Sequence, residues 1–134
     1  MLAISLVCGK ILTNRLSGGL KMTTLTTAEE TTIKKIINHL VKVCPEQLVS
    51  VILYGSKARG DFSSDSDLNL LILVKDKNNI NRNRIYDFLV EDEVDYDVSL
   101  SLNIYEDTVF KNLVEMNAPF ARNVMNEGKI LWTN

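Results

Sequence analysis

The stretch from Tyr54 to Ile72 places a Gly-Ser pair at the end of one apolar run and an acidic cluster at the opening of the next. That pairing suits a phosphate grip beside a metal site. Gly55 lacks a Cβ and lets the backbone approach a polyphosphate closely, while Ser56 adds a hydroxyl where amides at a helix start point outward. Lys57 and Arg59 bring positive charge to the same turn. Asp67, one loop later, is a hard oxygen donor of the kind that holds a divalent cation between protein and phosphate oxygens.

The elements needed to position these groups can be read from periodicity. Thr27-Ala28-Glu29-Glu30 has capping-box spacing, and Ile33, Ile36, Ile37, Leu40 and Val41 recur on one face of a helix that ends near Val43. Pro45 enforces the stop. Leu48 to Tyr54, rich in β-branched and aromatic residues, reads as the first strand, followed by the Gly-Ser turn and a short helix through Ala58 and Arg59. Asp67 to Val74 reads as the second strand, whose alternation puts Asp67, Asn69 and Leu71 on one face and Leu68, Leu70 and Ile72 on the other. A helix over 82–90 carries Ile85, Phe88 and Leu89. Val94 to Leu102 then alternates as a third strand, with Asp95, Asp97, Ser99 and Ser101 sharing a face. Helices follow over Glu106 to Met116 and from Pro119 to Gly128, and Ile130, Leu131 and Trp132 pack as a short terminal segment.

Composition narrows the class. With 134 residues the chain suffices for one compact domain, and 46% apolar with 24% charged residues is ordinary for a soluble globular protein. A net charge of −2 gives no polybasic surface, so general nucleic-acid binding has no support. Cys8 and Cys44 form no Cys-x-x-Cys pair, and His39 is the sole histidine, which speaks against a zinc site or disulfide framework and fits a reducing, cytoplasmic setting. The apolar run Leu2 to Cys8 is short and lacks a basic flank, so it reads as neither a signal peptide nor a membrane anchor. Residues 1–22 read as a leader or added tail that the rest does not need, with Ser17-Gly18-Gly19 as a break, and 23–134 as the functional domain.

The motif resembles the Gly-Ser-x-Ala-Arg-Gly…Ser-Asp-x-Asp signature of the minimal nucleotidyltransferases, small members of the DNA polymerase β-like superfamily. Gly55, Ser56, Ala58, Arg59, Gly60, Ser66 and Asp67 fall on its positions. The resemblance implies an α+β fold, a small mixed β-sheet with helices packed mainly on one side. It also implies transfer of a nucleoside monophosphate, AMP for choice, from Mg²⁺-bound NTP to an acceptor, with pyrophosphate leaving. By the same resemblance the nucleotide is bound by Gly55, Ser56, Lys57 and Arg59, and the metal and catalytic positions are Asp67, Asn69 and a third acid, Asp97 or Asp95, with Asp97 preferred. Stand-alone domains of this kind act as antitoxins beside a small helical toxin-type protein, which is the partner implied.

One departure matters. Asn69 stands where the family has its second metal carboxylate, and an amide brings no charge and bridges two metals poorly. Asp65 is an alternative acid, but in a turn before a strand Asp and Ser are favoured simply for bonding local backbone. The sequence therefore supports either a transferase whose activity Asn69 weakens or a degenerate fold that neutralises a partner by binding it. Arg59 has a competing use in an internal ion pair, with Asp61 as the nearest acid. Lys57 is expected to face solvent beside the substrate.

Overall fold

The computed structural model describes residues 10–11, 25–60, 67–90 and 98–134. Its elements in chain order are β1 (Lys10–Ile11), α1 (Thr27–Val43), β2 (Leu48–Tyr54), α2 (Ser56–Arg59), β3 (Leu68–Val74), α3 (Arg82–Val90), β4 (Leu100–Glu106), α4 (Asp107–Glu115), α5 (Pro119–Glu127) and β5 (Lys129–Thr133), with a 3₁₀ turn at Lys77–Asn79. The strands form one mixed sheet in the order β1-β5-β2-β3-β4. Among the described strands only β3 and β4 run parallel, in register from Leu68 opposite Leu100 to Val74 opposite Glu106. The other neighbours are antiparallel.

Strand alternation divides the apolar residues between two layers. Leu68, Leu70, Ile72 and Val74 of β3 join Val51 and Leu53 of β2 in the larger core, which is covered by Ile33, Ile36, Ile37 and Leu40 of α1 and Ile85 of α3. The opposite face carries Ile52, Leu71 and Leu73 under Phe110 of α4 and Ala121, Val124 and Met125 of α5. Asn69 has the parity of Leu71, so it stands on the α4/α5 face. No helix among the described residues is long and apolar enough to cross a membrane.

Several expectations change in detail. The capping box of α1 uses Thr26 and Glu29, one residue earlier than Thr27 and Glu30: the Glu29 amide donates to Thr26 Oγ1 at 3.1 Å and the Thr26 amide to Glu29 Oε1 at 2.9 Å. Both pairs have the required spacing, and the box falls on the glutamate that is buried. The third strand starts at Leu100 and continues to Glu106, because pairing with β3 along seven residues extends it past the polar Asn103. Its expected beginning, 94–97, lies outside the described residues. Residues 130–132, expected as a packed tail, belong to β5, which is inserted between β1 and β2 with Leu131 and Thr133 fully buried.

Candidate active site

Antiparallel pairing of β2 with β3 sets Tyr54, the last residue of β2, opposite Asn69, near the start of β3. The turn that follows Tyr54 is thereby held against the strand that carries the acidic motif. Gly55 has φ +83° and ψ −160°, a backbone region closed to residues with a Cβ. A Cβ built on it would lie 2.6 Å from Asn69 Nδ2. Glycine is thus required twice, for conformation and for contact. Its carbonyl accepts from the Ala58 and Arg59 amides at 3.0 and 3.1 Å, which winds α2, and Gly60 ends that turn in the left-handed region at φ +92°.

Asp67 precedes β3 and is exposed, with its Oδ1 accepting from Ser99 Oγ at 2.6 Å. The Leu68 amide donates to the Ser99 carbonyl at 2.8 Å, so backbone and side chain together tie the entry of β3 to that of β4. Half-buried Asn69 lies between Tyr54 on one neighbouring strand and Ser101 on the other. Gly55, Asn69 and, two residues earlier in the chain, Asp67 thus lie at one end of the paired strands β2 and β3. Asp95 and Asp97, with Asp65, Asp61 and Ser66, lie outside the described residues. Among the described residues no group of three or more His, Cys, Asp or Glu is gathered to hold a metal ion.

The two basic side chains of the motif part company. Lys57 is 5% exposed and its ammonium lies 2.9 Å from Glu29 Oε2, which corrects the expectation that it faces solvent beside a substrate. Burial favours this because the α1 capping carboxylate is itself nearly enclosed and needs a counter-charge. Arg59 stays accessible and makes an ion pair with Glu127 of α5, Nη1 to Oε2 3.0 Å, while the acid considered for it from the sequence, Asp61, lies outside the described residues.

An aromatic group lies beside the turn. Phe120, at the start of α5, meets Tyr54 edge-on at 5.4 Å between ring centroids and stacks on Tyr105 at 5.5 Å. The Asn103 amide donates to the Tyr54 hydroxyl. Burial raises the Tyr54 phenol above its ordinary pKa, the Asn103 hydrogen bond lowers it, and the neighbouring Tyr105 raises it. Trp132 is 7% exposed within β5 and fills core, and His39 Nε2 lies 2.7 Å from the Arg84 carbonyl on the helical layer. Ser99, Glu29 and Glu127 had no assigned role in the sequence reading. Ser99 was signalled only by its face, since its contact with Asp67 depends on the parallel register of β3 and β4.

Comparison with known proteins shows the family. Residues 32–134 match the family model described as Polymerase beta, Nucleotidyltransferase. Two Methanocaldococcus jannaschii chains named as putative protein adenylyltransferases are similar. One is 29% identical over 78% of this chain and 98% of its own length, the other 31% identical over 62% and 85%. The crystal structure of a mutant MntA-HpeT toxin-antitoxin superposes over 75% of this chain and 73% of that one, with a TM-score of 0.50 at 24% identity, and shares the fold. With the match running from α1 to the end of β5, this chain belongs to the polymerase beta nucleotidyltransferase family.

Proposed function

We propose that this protein transfers AMP from Mg²⁺-ATP to a hydroxyl group on a partner protein. The observation that supports the reading is the closeness of Gly55 to Asn69, which holds the glycine turn beside the strand that Asp67 precedes. The relatives named as protein adenylyltransferases support a protein acceptor, and the toxin-antitoxin of shared fold supports a toxin-type partner.

In the reaction the acceptor hydroxyl oxygen attacks the α-phosphorus of ATP and its proton passes to solvent, a new P–O bond forms, the bond to the bridging oxygen of the β-phosphate breaks, and pyrophosphate leaves with that electron pair. The Gly55-Ser56 turn binds phosphate, and Arg59 exchanges Glu127 for phosphate oxygens. The exposed Asp67 carboxylate, with Asn69 beside it and Asp97 or Asp95 to join it, is a set of hard oxygen donors suited to Mg²⁺. Bound there, Mg²⁺ supplies charge neutralisation to the triphosphate. The Ser99 hydroxyl fixes the orientation of the Asp67 carboxylate from the next strand.

The test is transfer of label from α-³²P-ATP to a protein encoded in the neighbouring reading frame. Wild type should label it and Asp67→Ala should not. A second reading, neutralisation of the partner by binding alone, is favoured by the missing charge at Asn69. Absence of Mg²⁺-ATP binding by calorimetry in the folded protein, together with tight partner binding, selects it.

A further inference from the structure

We propose that Asn69 is a phosphate-binding donor, its Nδ2 hydrogen-bonding an oxygen of the nucleotide held on the Gly55-Ser56 turn. This assignment rests on the nucleotide-binding reading above and gives position 69 a task that the acid it replaces could not perform. The Asn69 amide nitrogen, and not merely some part of the side chain, is the atom nearest the open side of Gly55. That nitrogen has two hydrogens to donate. Among the described residues nothing accepts from Asn69 Nδ2.

A half-buried amide donor with no acceptor, packed against the glycine of the turn, is suited to an anion that arrives from outside. Its neighbours in register, Tyr54 and Ser101, are neutral. An aspartate there would face the phosphates with like charge until a cation intervened, whereas an amide attracts them without one. Asn69 therefore makes nucleotide binding less dependent on divalent cation, and Asp67 remains the acidic ligand of this strand.

The experiment is a ³¹P NMR titration of ATP with wild type, Asn69→Asp and Asn69→Ala, each in EDTA and again in excess Mg²⁺. In EDTA, wild type should bind with measurable shifts, and both variants should bind about tenfold more weakly, the order expected for losing a hydrogen bond to a charged group. Excess Mg²⁺ should restore Asn69→Asp to at least wild-type affinity and leave Asn69→Ala weak. Equal or tighter binding by Asn69→Asp in EDTA overturns the proposal, as does a wild type that binds Mg²⁺-ATP but no ATP in EDTA. If Asn69→Asp does not fold, the alanine variant decides alone, since affinity equal to wild type in EDTA also overturns it. A folded wild type that binds ATP in neither condition would instead remove the nucleotide-binding reading itself.

Discussion

Replacing Gly55 with alanine should damage stability and nucleotide binding together, because the residue is constrained in two independent ways. Its φ of +83° with ψ −160° belongs to a region essentially reserved for glycine, and holding another residue there costs about 1–3 kcal/mol. The new Cβ would also sit 2.6 Å from Asn69 Nδ2, a separation that forces the amide to move. A side chain can yield, so this contact adds the smaller share, and a total of about 2–3 kcal/mol is reasonable. For a domain of this size that corresponds to a fall in Tm of roughly 6–15 °C. Thermal unfolding followed by circular dichroism measures the first effect and calorimetric titration with Mg²⁺-ATP the second. Adding Asn69→Ala to Gly55→Ala should recover part of the loss, since it relieves the contact but leaves the dihedral strain. Gly60→Ala, in an ordinary left-handed cap, should cost only about 1–2 kcal/mol. A Gly55→Ala protein that melts with wild type and binds nucleotide equally well would refute both the conformational argument and the placement of the site.

Three further outcomes are expected. Lys57→Met should destabilise the protein by about 3 kcal/mol in urea unfolding, because Glu29 would be left buried without its ammonium partner, and a loss under about 1 kcal/mol would show that the pair is solvated. Arg59→Ala should cost less than about 1 kcal/mol of stability, since its pair with Glu127 is surface-exposed, yet weaken Mg²⁺-ATP binding in calorimetry; unchanged affinity would leave Arg59 a purely structural cation. Deleting residues 1–22 should lower Tm by no more than a few degrees, because the described part of that segment is the two-residue edge strand β1, and a collapse of the melting transition would make the segment integral to the fold.

The elements that position the site were legible where local signals sufficed. β2 and α3 run as β-branched content and helical spacing indicate, and β3 begins at Leu68, one residue after the expected start at Asp67. The Gly-Ser turn and Asn69 were legible as neighbours because a motif records both residue type and spacing. What escaped was set by partners distant in sequence. Nothing local tells Lys57 to turn inward, since Glu29 belongs to another helix, and Glu127 lies 68 residues from Arg59. Asn103 looks like a strand breaker until the Tyr54 hydroxyl takes up its amide, so the C-terminal half of β4 could not be read. Residues 129–133 offer too few alternations to distinguish a strand from a tail, and become a strand only by lying between β1 and β2.

The place of β5 has a consequence for how the chain reaches this structure. The Ser50 hydroxyl bonds the Trp132 carbonyl across 82 residues, whereas β2 and β3 are joined through the much shorter motif loop. Closing the longer loop costs roughly 1.5 kcal/mol more chain entropy, so the β2–β3 pair with α1 is the natural nucleus and β5 docks afterwards. Until it does, β2 presents an unpaired, strongly apolar edge able to capture a strand from another molecule. Refolding yield should therefore fall as protein concentration rises, and substitutions in β5 should mainly accelerate unfolding while leaving the folding rate nearly unchanged.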